Sequence, residues 1–230
     1  MGKVIVLATS KGGAGKTTLA RSLACHWWNL GLKVCVIDAD PQGSFSKKHD
    51  PNGLLKNMTV ISQPEENVYE EILENKLTHD YVIVDTGGFR NRTMIRALVA
   101  SDLAIIPLKP SSDDVEEAIN TYKVLQELSK VPEREGRTVC YRMVLTMSNQ
   151  GTVISRHVKD ELKKMGYLIL DAELYNRVAY PEAGIKGLAP NITEPDGAAS
   201  RDIDKIVNEL WEAFEDESVK APKSEKVKTL

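Results

Sequence analysis

The chain carries five runs of consecutive apolar residues, rich in β-branched side chains, which are separated by longer segments with helical periodicity. Continuous rather than alternating apolarity is typical of strands that are buried on both faces of a parallel sheet. The intervening segments are long enough to form crossover helices. The pattern therefore predicts an α/β fold in which helices flank a single, doubly wound and mostly parallel sheet. The predicted strands cover residues 3–8, 33–38, 81–85, 103–108 and 139–146.

Six segments between and after the predicted strands have helical periodicity, and one of them has a clear start signal. In the sequence SSDDVEE, either Ser111 or Ser112 stands where an N-cap side chain accepts a backbone hydrogen bond, and acidic residues follow in the first turn. We expect helices at residues 16–30, 65–76, 90–100, 112–130, 153–165 and 199–215.

Two polar segments lie outside these predicted elements. Residues 41–57, PQGSFSKKHDPNGLLKN, are rich in turn formers and predict a mobile loop after the second strand. Residues 217–230 contain four lysines and almost no side chains to bury, which predicts a disordered tail. We therefore expect one domain over residues 1–216, followed by this tail.

The composition, 42% hydrophobic and 27% charged residues, is ordinary for a globular protein. The apolar run near the start, VIVLA, is too short to span a bilayer, and the first residues do not form a secretory signal. These features predict a cytoplasmic protein. The cysteines (Cys25, Cys35 and Cys140) are far apart and predict reduced thiols rather than a metal site. A net charge of −3 leaves room only for a local nucleic-acid-binding patch.

The most informative stretch is TSKGGAGKTT, residues 9–18, which follows the first strand and opens the first helix. It matches the phosphate-binding pattern G-x-x-x-x-G-K-[ST] except that Ser10 replaces the first glycine and Lys11 adds a second lysine. Its glycines allow the backbone N–H groups to surround phosphate oxygens at a helix N-terminus. We predict that Lys16 holds the β- and γ-phosphates of a nucleotide, that Thr17 binds Mg²⁺ and that Thr18 contacts the α-phosphate.

Acidic residues stand at the ends of the next two buried strands. Asp38 and Asp40 lie in VIDADPQGS, and Asp85 ends the strand in DYVIVDTGG. Because ligands bind at the carboxyl ends of strands in open α/β sheets, these carboxylates are expected beside the phosphate loop. They can support Mg²⁺ and its bound waters or orient an attacking water.

Together these motifs carry a resemblance to a known family. SKGGAGKTT, DADPQGS, YVIVDTGG and the later NRVAYPEAGIKGL and DGAAS are similar to the ParA partition ATPases, within the deviant Walker-A class of P-loop ATPases that includes MinD. The resemblance covers residues 3–215 and is to the short members, which lack an N-terminal helix-turn-helix domain. One departure is DTGG, where many members have Asp-x-Pro-Pro.

The resemblance implies roles for individual residues. Lys11 is expected to reach the nucleotide of a partner subunit, so that two ATP molecules are sandwiched in a homodimer, and Lys11, Lys16 and Asp40 are the predicted catalytic residues. Asp40 would orient the attacking water, while Asp38 and Asp85 join Thr17 around Mg²⁺. Asn149 is a candidate contact of the adenine base. The predicted residues that bind ATP or ADP are Lys11, Gly12, Gly13, Ala14, Gly15, Lys16, Thr17, Thr18 and Asn149.

The resemblance also implies a biological function. Short partition ATPases bind DNA without sequence preference as ATP dimers, and the matching basic residues here are Arg177 and Arg201. A centromere-binding or cargo adaptor protein of the ParB kind would stimulate hydrolysis. We therefore expect a nucleoid-associated ATPase that positions a plasmid, a chromosome region or a protein assembly.

Two alternatives remain at this point. A MinD-like protein would cycle on a membrane, but the last predicted helix is acidic and would be repelled by anionic lipid, so we expect no membrane partner. A metabolic ligase or synthetase could use the same phosphate loop on a small substrate.

Overall fold

A computed structural model describes residues 1–88 and 92–219, with side chains described through residue 212. The strands are β1 (Lys3–Leu7), β2 (Val34–Ala39), β3 (Thr59–Ser62), β4 (Tyr81–Thr86), β5 (Leu103–Leu108), β6 (Cys140–Ser148) and β7 (Ile169–Tyr175). They form one sheet in the order β3-β2-β4-β1-β5-β6-β7, in which every pair of neighbours is parallel. The predicted doubly wound fold is therefore confirmed.

The helices agree with the predicted segments to within a few residues. They are α1 (Lys16–Asn29), α2 (Val68–Lys76), α3 (Arg92–Ala100), α4 (Ser112–Leu128), α5 (Val153–Lys164), α6 (Ala179–Ile185), α7 (Pro190–Thr193) and α8 (Ala198–Val219). The cap of α4 is Ser111, whose hydroxyl accepts a hydrogen bond from the Asp114 backbone N–H. The short helices α6 and α7 were not predicted. Helix α8 continues past residue 216, and residues 220–230, predicted as a tail, lie outside the described residues.

Two apolar cores lie on the two faces of the sheet, because the central strands are buried on both sides. On one face α1 and α8 contribute Leu23, Trp27 and Ile206, and Trp27 stacks on Tyr81 at 4.0 Å between ring centroids. The other face packs against helices α2 to α5, with Met94 among the fully buried side chains. This double burial explains the continuous apolar runs.

Strands β3 and β7 were not predicted, for different reasons. Strand β3 is a four-residue edge strand whose side chains are only partly buried. Strand β7 contains Asp171 and Glu173, which interrupt its apolar run. Glu173 is nevertheless buried, because Lys159 pairs with it at 2.6 Å and Ser148 donates a hydrogen bond to it. A buried ion pair of this kind is visible only once α5 and β7 are in contact.

The polar segment 41–57 is anchored to the protein body. Phe45 and Leu55 are buried in the same core as α1, and residues 46–48 form a 3-10 turn. The turn after α6 supports this segment from outside, since a Cβ atom at Gly187 would lie 1.9 Å from the Lys48 carbonyl oxygen. This loop is therefore held against the fold at both its apolar residues and its backbone.

The cysteines and the lengths of the apolar helices can be compared with the sequence expectations. Cys25, Cys35 and Cys140 form no disulfide, and Cys25 and Cys35 are buried. Within residues 1–88 and 92–219, no helix is both long and apolar enough to cross a membrane.

The contact at Gly187 gives a test of this packing. Gly187→Ala combines a left-handed backbone (φ 68°) with a clash against Lys48, and we expect it to lower the free energy of unfolding by roughly 2 kcal/mol or more. Gly151 has a similar φ of 75° but nothing within 4 Å of a built Cβ, so Gly151→Ala should cost only about 1 kcal/mol. Urea denaturation of both variants measures the difference; equal losses would contradict the packing described for Gly187.

Candidate functional site

The loop between β1 and α1 surrounds a cavity at the carboxyl edge of the sheet. Gly13 and Gly15 have left-handed backbones, with φ 71° and 84°, which let the chain turn sharply into α1. Gly15 is the N-cap of α1 and provides no side-chain hydrogen bond, so the first N–H groups of the helix lack a side-chain cap. Such N–H groups are the donors that anions accept at a helix N-terminus.

The cavity has a volume of about 310 Å³ and is bounded by the phosphate loop, by Asp40 and by the following loop. It therefore contains the predicted glycines, Lys16, both threonines and one of the predicted acids. Its lining residues are Gly12, Gly13, Ala14, Gly15, Lys16, Thr17, Thr18, Arg21, Asp40, Ser44, Lys48, Gly88 and Met147.

Lys16 is held inside its own loop. Its Nζ atom donates hydrogen bonds to the carbonyl oxygens of Thr9 (3.2 Å) and Lys11 (3.1 Å). Burial lowers the pKa of Lys16, while the nearby Asp85 and Asp40 carboxylates oppose that shift. The ammonium group of Lys16 therefore lies at the cavity, where it can bind an anion.

Among the described residues, Asp85 is the buried carboxylate whose hydrogen-bonding capacity is least satisfied. It is fully buried at the end of β4, and neither of its oxygens has a hydrogen-bond partner of normal geometry among the described residues. Burial raises the pKa of Asp85 from 3.8 to about 7, and the neighbouring Asp38 adds to the rise. Unsatisfied carboxylate oxygens beside the Thr17 hydroxyl fit the all-oxygen coordination that Mg²⁺ requires.

Asp38 accepts backbone hydrogen bonds, and its predicted role at Mg²⁺ stays a prediction. Its Oδ2 atom accepts hydrogen bonds from the backbone N–H groups of Phe45 (3.0 Å) and Ser46 (2.7 Å). Its Oδ1 atom accepts a longer one from the Asp40 N–H (3.3 Å). The carboxylate therefore ties the loop after β2 to the sheet, a use that is not visible in the sequence because its partners are backbone groups.

Lys11 points away from the cavity, toward the start of α4. Its Nζ atom lies 2.6 Å from Oδ2 of Asp114, and this hydrogen bond is the main reason that the pKa of Lys11 is raised. Ser111 also donates to that carboxylate, at 2.7 Å. The preceding residue, Ser10, donates to Glu117 on the same helix. Both departures from the usual loop pattern thus make contacts with α4.

The predicted adenine contact and the two predicted DNA contacts also lie away from the cavity. Asn149 is exposed and its carbonyl oxygen accepts hydrogen bonds from Thr152, as in an ordinary turn. Arg177 forms a two-point ion pair with buried Asp202, at 2.6 and 3.1 Å. Arg201 is exposed on α8.

Other residues of the site were missed by the sequence reasoning. Thr146 donates from Oγ1 to the Ala14 carbonyl (2.8 Å) and so ties β6 to the phosphate loop, and Met147 follows it with a left-handed φ of 52°. Their position at the end of a buried strand was the available signal. Arg21 was detectable as well, since it lies four residues after Thr17 on the same face of α1.

This fold and loop define a P-loop nucleotide-binding domain. The family model described as the CobQ/CobB/MinD/ParA nucleotide binding domain matches residues 5–191, so the chain belongs to that family. It is therefore a P-loop ATPase of the ParA/MinD family.

Several curated proteins are similar in sequence. Protein ParA of Rhizobium radiobacter is 30% identical over 180 residues, which cover 77% of this chain and 80% of that protein. The septum site-determining protein MinD of Thermotoga maritima is 25% identical over 226 residues, which cover 95% of this chain and 62% of that protein. Protein virC1 of Rhizobium radiobacter is 29% identical over 134 residues, and the match spans only 57% of its length.

Solved structures share the fold. A complex of Cyanothece McdA with ATP has a TM-score of 0.70 at 20% identity, over 97% of this chain and 99% of that one. The cell division ATPase MinD of Pyrococcus furiosus has a TM-score of 0.72 at 17% identity, over 92% of this chain and 99% of that one. Cobyrinic acid a,c-diamide synthase of Mycobacterium smegmatis, with bound ADP and magnesium, has a TM-score of 0.66 at 19% identity, over 85% and 97%. These identities show the fold alone.

The buried Asp85 carboxyl predicts a pH effect in nucleotide-free protein without magnesium. Because its pKa is higher in the folded than in the unfolded state, its contribution to stability is full below about pH 4 and is lost as the pH rises to about 7. The free energy of unfolding of the wild type should therefore fall relative to that of Asp85→Asn between pH 5 and pH 8. Denaturant titrations in EDTA measure this difference, and a pH-independent difference would contradict the shifted pKa.

Proposed function

We propose that this protein is an ATP-dependent dimerising ATPase that binds DNA without sequence preference and positions a plasmid, a chromosome region or a protein cargo. The observation that carries the proposal is the separation of two lysines in one phosphate loop. Lys16 lies inside the cavity, whereas Lys11 lies outside it, with its side chain 35% exposed. One lysine can bind the chain's own nucleotide while the other faces a second subunit.

Binding of the nucleotide follows from the donors around the cavity. The N–H groups at the start of α1 and the Lys16 ammonium would receive the phosphates. Thr17 and Asp85 would hold Mg²⁺, directly or through water, and the ion would neutralise charge on the β- and γ-phosphates. Asp40 lines the cavity and would orient the attacking water. Asp38 would act indirectly, by holding the loop that follows Asp40.

Dimerisation would depend on the ammonium group of Lys11. In the single subunit its charge is matched by Asp114, so this pair must open before the lysine can meet a partner's nucleotide. The γ-phosphate of ATP adds negative charge at that interface, which ADP lacks. ATP would therefore favour the dimer, and hydrolysis would release it.

For DNA binding, the exposed Arg201 is better suited than Arg177. Arg177 already neutralises Asp202 and lies over the Tyr175 ring, 5.3 Å from its centroid. Arg177 thus stabilises the fold. The exposed Arg201 guanidinium donates to the Asp196 carbonyl oxygen and has further donors that can meet phosphate groups. The similarity to the protein named ParA supports this proposal, and the similarity to MinD supports the second candidate below.

The same proposal includes a partner and a location. A slow ATPase that acts as a switch needs a stimulus, which we assign to a ParB-like centromere-binding or cargo adaptor protein. Binding to chromosomal DNA would place the ATP dimer on the nucleoid in the cytoplasm.

A MinD-like membrane cycle is the second candidate, because the match to the Thermotoga maritima septum site-determining protein covers 95% of this chain. The described part of α8 is less suited to a membrane surface. Its Glu209 accepts hydrogen bonds from the backbone N–H groups of Asp171 and Ala172, and so fixes the helix against β7.

Variants of the two lysines separate nucleotide binding from dimerisation. Lys16→Ala should abolish ATP binding in calorimetry, because it removes the cation inside the cavity. Lys11→Ala should bind ATP almost normally but stay monomeric when its molar mass is measured by light scattering with ATP. A normal ATP dimer formed by Lys11→Ala would refute the role given to Lys11.

The ion pair of Lys11 provides a matched pair of variants for the same measurement. Asp114→Asn removes the carboxylate that holds Lys11, and we expect dimerisation at a several-fold lower protein concentration. Asp113→Asn removes the same charge from the neighbouring exposed position and should change dimerisation little. Equal behaviour of the two variants would show that opening this pair does not limit assembly.

The two arginines predict different defects. Arg201→Ala should weaken DNA binding in the ATP state and reduce its salt dependence, with little change in stability. Arg177→Ala should lower the free energy of unfolding by about 2 kcal/mol, because it leaves Asp202 buried without its partner. Fluorescence anisotropy with a random DNA duplex, next to thermal unfolding, tests both. Normal DNA affinity in Arg201→Ala would remove that residue from the binding surface.

A further inference from the structure

Arg21 on α1 is a buried cation that forms no ion pair with any described carboxylate, although Asp85 and Asp38 lie near enough to favour its charge. Its side chain is 5% exposed, and no carboxylate lies within ion-pair distance of it in the part of the chain that the structure describes. Its Nε atom has no hydrogen-bond partner among the described residues. A buried charge in this condition is unfavourable unless a further group pairs with it.

A second buried arginine shows what a purely structural role looks like in this protein. Arg134 lies at the opposite edge of the sheet, before β6, and its donors are satisfied by backbone carbonyl oxygens. Its guanidinium donates to Ser101 (2.7 Å) and Thr138 (2.6 Å), and its Nε atom donates to Arg137 (3.2 Å). Among the described residues, Arg21 makes one hydrogen bond of this kind, to the Ser44 carbonyl oxygen.

The position of Arg21 connects it with the phosphate site. It lies one helical turn after Thr17, and helical side chains tilt toward the N-terminus of their helix, so the guanidinium reaches back to the level of the phosphate loop. Arg21 lines the same 310 Å³ cavity as Lys16 and Asp40. An anion bound in this cavity would therefore lie beside Arg21.

Arg21 also contacts the loop that follows Asp40. Its Nη2 atom donates to the Ser44 carbonyl oxygen (3.2 Å), and its Cζ atom lies 4.8 Å from the centroid of the Phe45 ring. The same short segment is bound from the sheet by Asp38, through the N–H groups of Phe45 and Ser46. Residues 44–46 are thus held by one cation and one anion, both located at the phosphate site.

We propose that Arg21 is a further anion-binding residue of this site, whose counter-charge is a phosphate group of the bound nucleotide, and that it couples phosphate binding to the loop at residues 44–46. The proposal rests on the nucleotide binding proposed above. A guanidinium can donate to a phosphate oxygen and keep its hydrogen bond to Ser44, because its donors point in several fixed directions. Phosphate binding then tightens the hold on this loop.

The test compares Arg21→Met, Arg21→Lys and Arg134→Met with the wild type. Calorimetry measures the affinity for Mg-ADP and for inorganic pyrophosphate, a probe that has phosphates but no base. Arg21→Met keeps most of the side-chain length without the charge, and we expect roughly tenfold weaker binding of both ligands. Arg21→Lys, which retains the charge, should recover part of the affinity. Arg134→Met should unfold more easily but bind both ligands as the wild type does.

Hydrogen exchange of residues 41–48 distinguishes coupling from a structural role. Mg-ADP should slow exchange there in the wild type and in Arg134→Met, and this protection should be lost in Arg21→Met. Wild-type affinity and protection in Arg21→Met would overturn the inference alone, and Arg21→Lys gives the same comparison if methionine destabilises the fold. A wild type that binds neither Mg-ADP nor pyrophosphate would overturn the proposed function together with this inference.

Discussion

The register of the parallel strands is the constraint on which the site depends. Asp38 in β2 lies directly beside Asp85 in β4, and Asp85 lies beside Leu7, the last residue of β1 before the phosphate loop. All neighbouring strands are parallel, so their carboxyl ends meet at one edge of the sheet. A shift of one residue in this register would turn the acidic side chains to the opposite face. The apolar cores that fix the register therefore also fix the geometry of the phosphate site.

Charges around the loop are arranged in two groups with different consequences. Lys16 and Asp85 are buried beside the cavity, and the protein body leaves them incompletely satisfied, which favours a ligand that brings phosphate and a cation. Lys11 and Asp114 form a partly exposed pair outside the cavity, which a competing anion can open. In the proposed function, the first group would bind the nucleotide within one subunit, and the second would be a contact that the nucleotide state switches.

The sequence predicted the parts of this protein that depend on local patterns. The buried strands, the long helices, the Ser111 cap and the phosphate loop all carry signals within a few residues. Partners distant in the chain could not be predicted: Glu173 is paired by Lys159, Asp38 is used by the backbone at Phe45, and Arg177 is neutralised by Asp202. Asp38 and Arg177 were assigned roles from the family resemblance and Glu173 was assigned none, because these contacts form only on folding.

If the proposed function is correct, ATP but not ADP produces a DNA-binding state. A titration of random-sequence duplex DNA with wild-type protein, in the presence of ATP, ADP or no nucleotide and at two salt concentrations, tests it most directly. Anionic lipid vesicles in a parallel series test the MinD-like candidate. We expect DNA binding with ATP alone, and we expect its affinity to fall steeply as the salt concentration rises. Equal DNA binding with ATP and ADP, or ATP-dependent binding to vesicles and not to DNA, would contradict the proposed function.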